Sequence, residues 1–186
     1  VDESFEKLKN YENKYFNYDV FFAMSHGVHR GILKKGKQDN RELFLRKLEK
    51  NLNSINYDFF GYNGREPIWA ENFLKTISNY SMALNLSRGA PTKYYSSDRI
   101  AQLISNGLLT FIDKKTKLYE IISPKGVVYY DSFNDLIKKI NFFKKNPIKL
   151  KKKAAIGREE YLKKFNSTIV AKYIVEKTLK LKSNTK

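Results

Sequence analysis

Five short, nearly uncharged apolar runs, at 18–24, 56–60, 82–86, 108–112 and 126–130, recur along the chain with helix-like stretches between them. Each is too short for a buried helix and is rich in aromatic or β-branched residues, which reads as strand. The intervening stretches carry helical periodicity. Leu45, Leu48 and Leu52 form one stripe within 39–53, and 69–79 reads as a second helix. Ser96 is a fitting N-cap for a third that runs to Asn106 and stops at Gly107. Ser132 and Asp135 resemble a capping box, followed by Phe133, Leu136, Ile137, Ile140 and Phe143 at helical spacing. Helices over 148–164 and 167–181, the last capped by Asn166, close the chain; 116–122 reads as a short helix, and 2–16 as a short charged one.

Strands that are apolar throughout, alternating with helices, fit a parallel sheet covered on both faces. The expected fold is therefore α/β: a Rossmann-like, doubly wound parallel sheet with extra C-terminal helices. With 186 residues, 41% apolar and 15% aromatic, the chain can bury one ordinary core. The expected organisation is a linker or the end of a preceding domain at 1–17, one Rossmann-like domain at 18–181 and a polar tail at 182–186. Because the first residue is Val1, the sequence reads as a piece of a longer protein.

Cysteine is absent, which removes disulfides and thiolate metal sites and suits a reducing compartment. No apolar run reaches the roughly 18–20 residues of a membrane span, and no secretory signal is visible. A cytoplasmic location is expected. The net charge of +17 is unevenly spread: residues 138–186 hold 16 Lys or Arg and 3 Asp or Glu. Most of the excess is lysine, with only seven Arg in the chain. A solvated lysine surface is the plainest reading. Peripheral contact of these C-terminal lysines with an anionic inner membrane face stands beside it, and nucleic-acid binding is a third reading.

In a doubly wound sheet the ligand sits at the carboxyl ends of the strands, so the loops there carry the functional signal. The first loop contains Ser25, His26, Gly27, Val28, His29, Arg30 and Gly31, then Lys34, Lys35, Gly36 and Lys37. Glycines admit close backbone approach, and Arg and Lys neutralise phosphate. This is either a phosphate-contacting loop or a solvated basic one. His-x-x-His without a further ligand is a weak zinc signal, and no metal site is expected. The loop after the third strand places Arg88, Lys93, Tyr95, Ser96 and Ser97 before a helix start, with Arg99 in its first turn and Gln102 one turn on. Backbone amides and the dipole make such an end an anion site. The two tyrosines Tyr94 and Tyr95 either stack on a base or pack inside. Trp69, the only tryptophan, reads as core, and Asp113 with Lys114 reads equally as a crevice edge or a plain turn. There is no P-loop, no Gly-x-Ser-x-Gly elbow and no Asp-x-Asp pair.

The run Ala83-Leu84-Asn85-Leu86-Ser87-Arg88-Gly89, continued by Tyr94-Tyr95-Ser96-Ser97-Asp98-Arg99-Ile100-Ala101-Gln102 and on to Asp113, resembles the group-1 glycosyltransferases. It is most similar to a bacterial subgroup related to the CgeB-like spore-coat proteins. The tail agrees, with Val127-Val128-Tyr129-Tyr130, then Phe133-Asn134-Asp135-Leu136, then Lys153-Ala154-Ala155-Ile156-Gly157. The resemblance implies the C-terminal, donor-binding half of a GT-B enzyme. It implies a UDP- or GDP-linked sugar donor held without a metal or other cofactor, a glycan or lipid-linked acceptor, and an N-terminal acceptor domain. The family's ribose-binding glutamate falls here at Gln102, a neutral amide that still hydrogen-bonds hydroxyls, and an earlier family acid falls at Tyr94. Its diphosphate-facing basic positions fall among Arg30, Lys34 and Lys35. His26 is the local candidate for a catalytic base. The alternative reading is a non-catalytic basic domain for nucleic acid or an anionic membrane surface.

Overall fold

A computed structural model describes residues 1–25 and 39–180. In chain order the elements are β1 (Tyr18–Ala23), α1 (Arg41–Glu49), β2 (Tyr57–Phe60), α2 (Ala70–Ile77), β3 (Tyr80–Asn85), α3 (Asp98–Ser105), β4 (Leu109–Asp113), β5 (Val128–Tyr130), α4 (Phe133–Lys145), α5 (Pro147–Phe165) and α6 (Ser167–Thr178). The five strands form one sheet in the order β2-β1-β3-β4-β5, parallel at every pairing. This is the Rossmann-like α/β architecture that the strand–helix alternation implies.

Burial explains why the strands carry no polar alternation. In β1, Val20 and Phe22 face the cluster built on Leu45 and Leu48 of α1 and Leu136 and Ile140 of α4. Their neighbours Phe21 and Ala23 face Phe73 and Ile77 of α2 and Leu103 of α3. Both sides are dry, so both parities are apolar. α5 joins the two sides: Leu150 and Ala154 belong to the first cluster, while Tyr161 packs with Ile100 and Ile104 of α3. Where α5 crosses the end of β4–β5, Gly157 and Gly126 meet backbone to backbone. A Cβ on either glycine would run into main-chain atoms of the other.

Three local expectations are corrected. Residues 2–16 form no charged helix; only the 3-10 turn Asn10–Glu12 is helical. The segment instead follows long-range backbone partners. Buried Asn10 donates through Nδ2 to Ile77 O (2.7 Å) and Tyr80 O (2.8 Å), and Arg158 of α5 donates to Glu6 O (2.9 Å) and Leu8 O (3.3 Å). Helical winding would give up these bonds. Asn10→Ala is expected to strip two buried carbonyls of their donor and to cost about 1–3 kcal/mol, measurable by urea unfolding. The stretch 116–122 is likewise not one helix but two 3-10 turns, Lys114–Thr116 and Leu118–Glu120. Lys117 between them is left-handed (φ 54°), which breaks the winding. The α3 cap is Ser97, one residue after the expected Ser96. No helix among the described residues is long and apolar enough to cross a membrane.

Candidate functional site

The chain turns back on itself beside β1. It leaves β1 for β2 on one side, then returns past β1 to β3 on the other. Ligands of doubly wound sheets lie at such a reversal, outside the carboxyl ends of the strands. A cleft of about 470 Å³ opens there. The end of β1 (Ala23, Met24, Ser25) forms its floor, Ile68 and Trp69 one wall, and the start of α3 from Tyr95 to Arg99, with Gln102, the other.

The α3 end is built to stay open. Ser97 has the extended backbone of an N-cap (φ −93°, ψ 159°), yet its side chain does not close the helix. Its Oγ lies 3.5 Å from Oδ1 of buried Asn85, at the end of β3. Ser96 lies beside Tyr161 of α5, whose phenol is lifted above its ordinary pKa by burial, against the opposing pull of the neighbouring Ser96 hydroxyl. The positive end of α3 therefore faces the cleft without a side-chain cap, accompanied by the first-turn carboxylate of Asp98.

Arg99 supplies the fixed cation. Its Nη1 donates to Leu86 O (3.1 Å), and the guanidinium lies over the Phe22 ring, 5.0 Å from its centroid. Burial, then the nearby charge of Arg41, pulls its pKa down to about 10, with Tyr95 acting the other way. No carboxylate pairs with Arg99 among the described residues. A desolvated cation with this surrounding gains most from an incoming anion. Arg41 is different: it is 6% exposed and neutralised by Asp39 (Nη2–Oδ2 2.6 Å). Its Nη2 also donates to Ser25 O at 2.9 Å. It thus ties the last described residue after β1 to the start of α1, across the basic segment. Sequence reasoning passed over Arg41; the only signal was an Asp-x-Arg pair at the start of a helix.

Trp69 corrects another expectation. It does not belong to the core but is 64% exposed at the cleft wall. The chain enters α2 at Ala70 with φ 49°, a left-handed value that costs an L-residue roughly 1–2 kcal/mol. Trp69 sits at this bend, outside the helical stripe of Phe73 and Ile77 that packs on the sheet. The two tyrosines part. Tyr95, 55% exposed, borders the cleft. Tyr94 is left-handed (φ 62°), donates its backbone N–H to Thr116 O (2.8 Å) and its hydroxyl to Glu120.

Of the expected donor residues, the cleft brings together Tyr95, Ser96, Ser97, Arg99 and Gln102. Arg88 is exposed on the preceding segment and does not border it. Lys93 is also outside, its Nζ 4.5 Å from the Tyr94 ring centroid. Gly89 and Pro91 border a separate hollow of about 130 Å³ with Arg41, Asp113 and Tyr130. Asp113 forms the plain turn, accepting from Lys115 N (2.8 Å), and Lys114 pairs with Asp131 (3.0 Å). His26, Gly27, Arg30, Lys34 and Lys35 lie outside the described residues. No group of His, Asp or Glu suited to a metal ion occurs among the described residues.

The profile of the glycosyl transferase-like family matches residues 37–176, from the end of the basic segment through most of α6. The chain belongs to that family. Two solved structures share the fold of this glycosyl transferase-like chain. The crystal structure of TarM aligns with a TM-score of 0.62 at 10% identity, covering 88% of this chain and 35% of TarM. Sucrose-phosphate synthase from Thermosynechococcus elongatus aligns at 0.59 and 14% identity, covering 96% of this chain and 47% of that one. At such identities the likeness concerns the fold, and the chain spans less than half the length of either protein. No curated protein matches it in sequence.

Proposed function

We propose that this domain binds the nucleoside-diphosphate end of a sugar donor in the cleft between β1 and β3, as the C-terminal half of a GT-B glycosyltransferase. The observation that carries the reading is the meeting of an uncapped helix end and an unneutralised arginine, Arg99, in one cleft. The diphosphate lies at the start of α3. As the sugar departs, negative charge grows on the leaving phosphate, and the α3 amides and Arg99 stabilise it without a metal. Gln102, one turn inside the cleft, offers its amide to ribose hydroxyls. Trp69 and Tyr95 provide flat faces for the base. The basic positions Arg30, Lys34 and Lys35 extend the cationic surface from the segment after β1, with Gly27 allowing close approach and His26 as the candidate base. Arg88 and Lys93 add charge outside the cleft. The acceptor, a glycan or lipid-linked saccharide of a surface polysaccharide or glycoconjugate, is held by another domain of a cytoplasmic enzyme.

Titration with UDP, GDP and their sugar conjugates tests this, and the single tryptophan makes the test direct. Ligand stacking is expected to change Trp69 fluorescence saturably, in step with calorimetric heat. Trp69→Ala is expected to lower nucleotide affinity roughly tenfold while leaving the melting temperature near that of the parent, because the side chain is exposed. A chain that binds none of these nucleotides, or that binds only polyanions in a manner abolished by salt, would overturn the proposal and favour a basic binding module.

A further inference from the structure

The smaller hollow of about 130 Å³ lies at the carboxyl ends of β3, β4 and β5, on the side of the sheet that α1 covers. It adjoins the donor cleft. Leu86 lines the hollow while its carbonyl receives Arg99 of the cleft, and Arg41 lines the hollow while it holds Ser25 O at the cleft floor. Its volume is close to the space that a single six-membered ring occupies.

One group there has no use within the fold. Tyr130 is 3% exposed, its ring packed into the cluster of α1 and α4. Its hydroxyl forms no hydrogen bond among the described residues. Burial, then the charge of Asp113, lifts its pKa, so the phenol keeps its proton at neutral pH. A buried hydroxyl without a partner is costly and uncommon, and it calls for one from outside the chain. Asp113 pairs in register with Tyr130, which puts both side chains on one face of the sheet. Its Oδ1 accepts from Lys115 N at 2.8 Å, whereas its Oδ2 has no bond among the described residues. Arg41 engages Nε and Nη2 with Asp39 and Ser25 O, and its Nη1 has no bond among the described residues. Phe44, Leu86 and Pro91 supply apolar wall.

The charges here favour a neutral guest. Asp39 neutralises Arg41, and a phosphate or carboxylate would meet the Asp113 carboxylate. A plain apolar ring would leave the polar groups unmatched. A hydroxyl both donates and accepts, so a ring bearing several of them serves a carboxylate, a phenol and a guanidinium N–H together, while its C–H faces rest on the apolar wall. We infer that this hollow is a site for the ring of a neutral sugar, held by the Tyr130 hydroxyl and the Asp113 carboxylate. The inference does not depend on the donor reading. The ring arrives either linked to a nucleotide in the adjoining cleft or on a separate saccharide, and the recognising chemistry is the same.

Titration of the isotope-labelled full chain with methyl glucopyranoside, methyl galactopyranoside and methyl mannopyranoside tests it by nuclear magnetic resonance. The readout is the backbone amides of Ser87 and Gly89, which border the hollow. At least one glycoside is expected to shift them saturably, with a dissociation constant on the order of a few millimolar, the range for so small a ligand. Tyr130→Phe is expected to weaken that glycoside about fivefold while the melting temperature stays level or rises, because it removes a hydroxyl the fold does not use. Asp113→Asn, which keeps an acceptor for Lys115 N, is expected to weaken it about tenfold. Trp69→Ala, in the donor cleft, is expected to bind it like the parent. Displacement by a nucleotide-sugar but not by its free nucleotide supports the site and assigns the ring to the donor; displacement by neither supports it and assigns the ring to a separate saccharide. Displacement by the free nucleotide puts the glycoside in the donor cleft and overturns the inference. So do unmoved Ser87 and Gly89 amides with all three glycosides, parent-like affinity in both Tyr130→Phe and Asp113→Asn, or a loss confined to Trp69→Ala.

Discussion

Replacing Arg99 with alanine is expected to weaken nucleoside-diphosphate binding roughly 30-fold, within the range for losing a charge-assisted hydrogen bond in a partly desolvated site. The number follows from what surrounds the guanidinium. Leu86 O and the Phe22 ring fix its direction without neutralising it, so its charge remains available to a ligand. Arg99→Lys keeps the charge but loses the planar fork and the stacking, and is expected to fall between parent and alanine. Calorimetry at fixed ionic strength gives both values, and parent-like affinity in Arg99→Ala would remove the central support of the donor-site proposal. The pH dependence has a defined sign. Burial and Arg41 hold the Arg99 pKa at about 10. The guanidinium is charged at every pH below that value, so its contribution to binding is expected to be level from acid through neutral pH and to weaken only at strongly alkaline pH.

The second large effect concerns stability. Gly157→Ala is expected to destabilise the fold by roughly 3 kcal/mol, the upper part of the range for overpacking. Both atoms in conflict are main chain: the new Cβ would run into the carbonyl oxygen of Gly126, and no side chain can rotate away. For a domain of this size, that corresponds to a melting temperature lower by about 6–12 °C. Gly126→Ala meets the backbone of Gly157 and is expected to behave alike. Differential scanning calorimetry of both variants checks this. If either melts within a degree or two of the parent, α5 does not approach the segment before β5 as closely as described. Because Gly157 lies outside the donor cleft, residual folded protein is expected to keep its nucleotide affinity.

The sheet was readable because burial on both faces leaves a plain mark: Val20, Phe21, Phe22 and Ala23 are all inside, so the run carries no polar interruption. The start of α3 was readable to within one residue, because hydroxyls after Pro91 and before an apolar stripe have few other uses. What escaped depended on distant partners. Asn10 and Arg158 hold the first residues against α5 and β3 through carbonyls far along the chain, and no local pattern announces such bonds. Trp69 was mistaken for core because tryptophan is usually sheltered, whereas its orientation depends on the left-handed step at Ala70. Tyr94 and Tyr95 look equivalent as neighbours, yet a backbone bond to Thr116 turns the first toward Glu120 while the second keeps the cleft. The role of Arg41 needed three dimensions, since Ser25 and Asp39 are brought together only when β1 and α1 are in place.

That clasp has a consequence for how such chains diversify. By gripping Ser25 and Asp39 in one hand, Arg41 fixes the separation of these two residues through the scaffold alone. Length changes in a loop with fixed roots cost little, growing only with the logarithm of its size.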